Sequence, residues 1–253
     1  MNIFVILKQT FDTEEKISIE DGKIAEDGVK FIINPYDEYA LEEALLMRED
    51  FGGEITVLTM GSEEAEEVLR KALAMGVDHA IHFKDLTFVG DEYKTSKLLA
   101  EFIKKLQYDI ILSGNQSIDN GAGQVAVRVA ELLGIPHIST VTKVEIDGER
   151  LTAHRDAEGD VEIVESVLPV LITAQQGLNE PRYPSLMGIR KASKAPLKVV
   201  TASDFKVTTR SKSEIVETFL PKAKAAGRFL EGETIETRVK ELISILRREN
   251  KVI

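Results

Sequence analysis

The chain has no cysteine, no tryptophan and only four histidines among its 253 residues. Without cysteine there can be no disulfide, no thiol nucleophile and no thiolate-bound metal. Of His79, His82, His137 and His154, only the first two lie close together, in "DHAIHF". Positions i and i+3 of a strand point to opposite faces, so a metal shared by that pair is not expected. The four histidines are read as ordinary core or surface side chains. Positive charge is also scarce: 32 Lys and Arg stand against 43 Asp and Glu, a net charge of −11, which argues against nucleic acid as a main partner. No apolar run approaches the roughly 18–20 residues that a membrane helix needs. The opening "MNIFVILKQT" enters a strand-like run without the basic start and small-residue cleavage site of a secretory signal, so a cytoplasmic location is expected.

What is present is a regular alternation of two periods. Continuous apolar runs of the buried-strand kind occur at "IFVIL" (3–7), "EITVLTM" (54–60), "HAIHF" (79–83) and "DIILS" (109–113). Between and after them lie helical patterns at 34–50, 61–76, 91–106 and 122–134. Asn34 and Ser62 are the expected N-caps, Pro35 occupies a first helical position, and Gly76 is a stop. Strand and helix in alternation predict an α/β fold, a mainly parallel twisted sheet covered by helices on both faces. From Pro136 the pattern changes to strict alternation over 137–147, 149–157 and 160–174, with Asp147-Gly148 and Glu158-Gly159 as turn signals. This predicts an antiparallel hairpin insertion whose last strand, "PVLITA", returns to the main sheet. Residues 177–196 read as an irregular loop with a short helical turn. The tail beyond is polar until 235–253, where Val239, Leu242, Ile243 and Leu246 form an apolar stripe on a charged helix. The expected division is an α/β unit over 1–200 and, over 201–253, a linker and a C-terminal helical arm that docks on a neighbour.

The stretch with most chemical content is "SGNQSIDNGAGQVAVRVAELLG" (113–134). Gly114 ends a strand, and Gly121, Ala122 and Gly123 carry little bulk where the next helix begins. A helix start offers unpaired N–H groups and a partial positive charge, which suits a phosphate. Gly123 permits close approach and Gln124 could add an amide, while Asp119 and Asn120 either bind a ribose or fold the turn. The plain alternative is a strand–helix junction that needs small residues for packing. Neither the dinucleotide GxGxxG nor the GxxxxGK[ST] phosphate loop is present, so a nucleotide here would be held and not hydrolysed. In the expected topology "NPYD" (34–37) and the loop at Met60-Gly61 open onto the same sheet edge.

Arg182, Arg190, Lys191, Lys194 and Lys198 form a basic stretch in an acidic chain, and Leu186 stands among them in a proline-framed loop. Either the leucine folds back into the core, or it anchors another protein while the basic residues set the encounter rate.

Taken together, "NPYDEYALEEAL", "ALAMGVDHAIH", "GNQSIDNGAGQVA" and "QQGLNEPRYPSL" resemble the β subunits of electron transfer flavoproteins, in the right order over residues 1–200. The resemblance implies a Rossmann-like sheet of the adenine nucleotide α-hydrolase type, paired with an α subunit that carries the redox-active FAD. It implies a structural AMP in this subunit, or a second FAD in electron-bifurcating members. The contacts would fall on Ile6, on Asn34, Pro35, Tyr36 and Asp37, on Met60, and on Gly114, Asn115, Gln116, Ser117, Ile118, Asp119, Asn120, Gly121, Ala122, Gly123, Gln124 and Val125. Phosphate would lie at 122–125. The loop around Phe11 would shape the partner's flavin environment. The loop 174–196 would present Leu186 to acyl-CoA dehydrogenase-type flavoenzymes, with Arg182, Arg190, Lys191 and Lys194 around it. Two departures stand out: Met187 follows the anchor where several members have proline, and "DNGAG" replaces the Asp-Gly-Asp-Thr-like run of bifurcating members, which points toward AMP. The expectation is an electron-carrier subunit and not an enzyme. The competing expectations are a stand-alone ATP-binding protein of the same fold and a bare dimerising scaffold.

Overall fold

A computed structural model of the chain describes residues 1–85, 88, 90–201, 204, 209–224, 226–249, 251 and 252. The first strand, β1 (Asn2–Ile6), is buried on both faces: Ile3 and Val5 enter one apolar cluster, Phe4 and Ile6 another. That double burial is why the run is continuously apolar. The polar stretch that follows contains β2 (Gln9–Phe11), a small hairpin of β3 (Ile19–Glu20) and β4 (Lys23–Ile24) turning at Asp21-Gly22, and β5 (Phe31–Ile33), which pairs with β2. Neither pair was anticipated, because strands of two or three residues are too short to establish a period.

Helix α1 (Pro35–Phe51) leads to β6 (Glu54–Met60), and α2 (Glu66–Met75) to β7 (His79–Phe83). Helix α3 (Glu92–Ile103) precedes β8 (Ile110–Gly114), and α4 (Val125–Leu133) precedes the meander β9 (His137–Asp147), β10 (Arg150–Asp156) and β11 (Val161–Val167). Strand β12 (Val170–Ala174) returns to the sheet as expected, parallel to β8. After it come α5 (Leu186–Ala192), β13 (Lys198–Val200) and α6 (Ile235–Arg248). Among the described residues nine strands make one sheet, in the order β11-β10-β9-β12-β8-β1-β6-β7-β13. All neighbours from β9 to β13 in that order run parallel, and only β9, β10 and β11 pair antiparallel. The α/β reading therefore holds.

Successive residues of each strand feed opposite faces. Val57, Ala80, Leu112 and Ile172 pack with α1 and α2, whereas Leu58, Ile81, Ile111 and Leu171 pack with α3 and α4. Each fully buried Leu, Ile or Phe contributes roughly 1.5–3 kcal/mol through removal from water. On the second face Phe83 meets Phe88 and Phe102 edge-on, with ring centroids 5.9 and 4.9 Å apart.

Two boundary expectations need correction. Ser62 does not cap α2: a 3₁₀ turn over Glu63–Ala65 intervenes, and the Ser62 hydroxyl turns to Glu64. Helix α4 begins at Val125, three residues later than read, because Gly121 and Gly123 both take positive φ (63° and 60°) and hold the chain in a turn. Near the end of the expected 1–200 unit, β13 adds a parallel strand beside β7. Further on, Asp91 at the N-cap of α3 accepts hydrogen bonds from the backbone N–H groups of Lys94, Lys212 and Ser213, which pins the linker to that helix. Helix α6 has a Thr234 capping box and its apolar stripe, but none of its residues is buried.

Candidate functional site

Chain order reverses at β1: β6 and β7 build outward on one side, β8 and β12 on the other. Loops after the carboxyl ends of strands flanking such a point diverge and leave a crevice. Here the crevice is a cleft of about 230 Å³. Ile6, Leu7 and Lys8 enter it from the end of β1, Leu58, Thr59 and Met60 from β6, and 113–117 from β8. Asn34 and Asp37 close it from α1, Gly90, Glu92, Thr95 and Leu99 from the α3 side, and Asn120 with 122–126 from the start of α4.

Of the residues read from sequence, Ile6, Asn34, Asp37, Met60, Gly114, Asn115, Gln116, Ser117, Asn120, Ala122, Gly123, Gln124 and Val125 come together on this wall. Pro35, Tyr36, Ile118, Asp119 and Gly121 lie outside the lining. Asn34 does stand at the N-cap position of α1, but its side chain makes no capping bond. Its amide donates to the Gln116 carbonyl at 2.8 Å and accepts from the Ile118 N–H at 3.1 Å, stitching α1 to the loop after β8. Asp37, fully buried, accepts from the Lys8 N–H at 2.7 Å and the Gly114 N–H at 2.8 Å, so one carboxylate joins the ends of β1 and β8. Burial raises its pKa from 3.8 to about 7, against the pull of those two N–H groups. Gly114 is required by contact: a Cβ there would overlap Asp37 Oδ1 and lie 2.7 Å from the backbone carbon of Tyr36.

Asp119 and Asn120 fold the turn, one of their two expected roles. Asn120 Oδ1 accepts from the Ser117 hydroxyl at 2.8 Å and the Ala122 N–H at 3.2 Å, and Asn120 Nδ2 donates to Glu92 at 3.1 Å. Lys8, which the sequence reading missed, places its ammonium 2.7 Å from Asp119 and 3.2 Å from the Ser117 hydroxyl. Burial would raise the Asp119 carboxyl, but Lys8 and Ser117 outweigh it and hold the group below its ordinary range. The signal for Lys8 was its place directly after β1, at the same sheet edge. Glu92 and Thr95, in the first turn of α3, could have been found by the same logic.

The arrangement has a polar and an apolar half. The first turn of α4 presents N–H groups that no helical acceptor can reach, beside Gly123, which gives an anion hydrogen-bond donors. Gln124, which lines the cleft, accepts at its carbonyl oxygen from Arg128 at 2.8 Å. Ile6, Leu58, Met60, Leu99 and Ala126 offer an apolar wall of the kind a planar heterocycle packs on. Among the described residues no group of three or more His, Asp or Glu could hold a metal ion, and no helix is long and apolar enough to cross a membrane.

The second stretch lies apart from the cleft. Leu186 opens α5, whose start is capped by the Ser185 hydroxyl accepting from the Gly188 N–H at 3.0 Å. Leu186 is 82% exposed, so it does not fold back into the core, and Tyr183 and Met187 beside it are exposed as well. Arg190, Lys191 and Lys194 are exposed around this tip. Arg182 departs from the expectation of a free basic residue. Its guanidinium turns inward to Glu42 at 2.7 Å and Glu49 at 2.6 Å, because the buried Glu42 carboxylate needs a counter-charge.

Sheet order, switch point and cleft define an α/β protein of the doubly wound class with a ligand crevice at the carboxyl ends of its strands. Residues 21–205 match the electron transfer flavoprotein domain, and the chain belongs to the electron transfer flavoprotein β-subunit family, a family of electron-transfer proteins. It is 54% identical to the electron transfer flavoprotein subunit beta of Bacillus subtilis, with all of both chains covered. It is 45% identical to the protein of the same name from Syntrophomonas wolfei, over 92% of this chain and 91% of that one. It is 36% identical to the caffeyl-CoA reductase-Etf complex subunit CarD of Acetobacterium woodii, over 99% of each.

Proposed function

We propose that the chain is the β subunit of a heterodimeric electron transfer flavoprotein that holds a structural AMP in the cleft at the β1/β8 switch point. In this reading the α subunit carries the FAD. The pair accepts electrons from acyl-CoA dehydrogenase-type flavoenzymes and passes them toward the respiratory chain. The observation that carries it is the convergence of three separate loops on one cleft with an anion-suited end, in a chain of this family. Gly123, Gln124 and Val125 would hold the phosphate through backbone N–H groups, and Ile6, Leu58 and Met60 would pack on the adenine. The AMP supplies no redox chemistry; it fills the cleft and braces the loops around it. Lys8, Asn34 and Asp37 tie those loops to one another from the protein side.

Residues 201–253 would dock on the α subunit. Ile215, Val216, Phe219 and Phe229 are more than 70% exposed, and Val239, Leu242 and Ile243 of α6 are also exposed. So many apolar side chains outside a core mark a surface that a partner covers. Residues near Phe11 would border the partner's flavin.

The test is cofactor counting. Purified with its α subunit, the pair should release one FAD and one AMP on denaturation, read by mass spectrometry, and the lone β subunit should not turn over ATP. Two flavins per pair would replace the AMP assignment with a second FAD, and ATP turnover would favour a stand-alone ATP-binding protein.

A further inference from the structure

Two adjacent carboxylates on α1, Glu42 and Glu43, are buried, with 3% and 9% of their surface exposed. Carboxylates are seldom this buried without partners. The partners come from one short stretch, 140 residues away in sequence for Arg182. Arg182 donates to Glu42 through Nε at 2.9 Å, through Nη2 at 2.7 Å and through its backbone N–H at 3.1 Å. Asn179 donates to Glu43 at 2.9 Å and to the Tyr39 carbonyl at 3.0 Å. Burial raises the Glu43 carboxyl above its ordinary range, with Asn179 opposing. Downstream the same segment is held again. Arg70 donates to the Ala192 and Ala195 carbonyls at 2.8 and 2.5 Å, and Gly188 lies so close to α2 that a Cβ would overlap the Ala74 carbonyl. Between these two fastenings stands the exposed Leu186.

We infer that Glu42 and Glu43, through Arg182 and Asn179, form a latch that presents Leu186 to electron donors in a fixed pose. These four are positioning residues for the encounter, not contacts to the donor. The inference rests on reading Leu186 as the docking anchor. A leucine on an unfastened loop would have to be ordered at every encounter, which weakens association; a fastened loop avoids that cost. The forked guanidinium suits the task because it grips both oxygens of Glu42, which a lysine ammonium cannot do in the same way.

The experiment uses the purified α–β complex, with a short-chain acyl-CoA dehydrogenase reduced by butyryl-CoA as donor. In Arg182→Met, amide exchange over 183–192 should quicken about tenfold or more. The apparent KM for the complex should rise about tenfold, while kcat stays within about twofold and FAD content is unchanged. Leu186→Ala should raise KM without changing exchange elsewhere in the loop. Unchanged exchange in Arg182→Met overturns the latch. Faster exchange with unchanged KM also overturns it if Leu186→Ala slows transfer. If neither variant alters KM, it is the docking reading of Leu186 that fails, and the latch as a docking device fails with it. Should Arg182→Met not assemble, Arg182→Lys keeps the charge but loses the fork and must show the same split in weaker form.

Discussion

Replacing Gly114 by alanine would add a single methyl group at the point where α1 is pressed against the end of β8. The backbone of Gly114 is not among those with positive φ, so the substitution tests contact and not backbone strain. The new Cβ would overlap Asp37 Oδ1 and come within 2.7 Å of both the backbone carbon and the Cβ of Tyr36. A side chain can rotate away from such a contact; the first turn of a helix cannot, so α1 must move outward. Overpacking of this kind costs about 1–3 kcal/mol. The displaced Asp37 would also loosen its hydrogen bond from the Gly114 N–H, now 2.8 Å, and above about pH 7, where this carboxyl is ionised, a bond to a charged acceptor contributes about 1.5–3 kcal/mol. Together these give roughly 3–5 kcal/mol, or a fall in Tm on the order of 10 °C for a chain of this size. Calorimetry of the α–β complex measures the fall, and mass spectrometry of released nucleotide tests whether the cleft still holds its ligand. The comparison is Gly134→Ala, at the open C-cap of α4 with φ 69° and no atom within 4 Å, which should cost only about 1 kcal/mol and leave the nucleotide in place. If Gly114→Ala melts within a degree or two of the parent, or above Gly134→Ala, the close approach of α1 to β8 is refuted.

The Asp37 carboxyl, lifted by burial from 3.8 to about 7, binds its proton more tightly in the folded than in the unfolded chain. Its favourable contribution is therefore complete below about pH 4 and is lost as the pH climbs through 7. Between pH 5 and 8 the parent should lose roughly 2–3 kcal/mol relative to Asp37→Asn, which does not titrate; urea unfolding of both proteins at stepped pH gives the difference, and a constant difference removes burial as the cause. Asp91 behaves in the opposite sense. Desolvation opposes its ionisation, but hydrogen bonds from Lys94, Lys212 and Ser213 hold its pKa down at about 2, so its contribution is complete above 3.8 and is lost as the pH falls from there through about 2. Asp91→Ala should release the linker from α3 and speed tryptic cleavage after Lys212 by about an order of magnitude; equal cleavage rates would show that the carboxylate does not pin it.

Read in isolation, the amino-acid order carries what repeats locally. Double-sided apolar runs announced β1, β6, β7 and β8 as buried parallel strands, and Pro35 announced the start of α1. The small residues at 121–123 marked a junction where backbone could come close to something, and the prolines around Leu186 marked an irregular loop, whose leucine only the structure showed to be exposed. Tertiary structure alone decided which distant groups meet. Asn34 looked like a helix cap and instead ties its helix to residues 116 and 118. Arg182 looked like a free cation and instead answers a carboxylate 140 residues upstream. Lys8 showed only its place at the end of β1 until Asp119 was brought beside it, and β13 was too short to be seen before β7 offered it an edge. Periodicity reports the face on which a side chain is buried, and that is a property of neighbouring residues. The partner of a buried polar group is set by desolvation, which must be compensated by whichever group the fold brings near, however far away it lies along the chain.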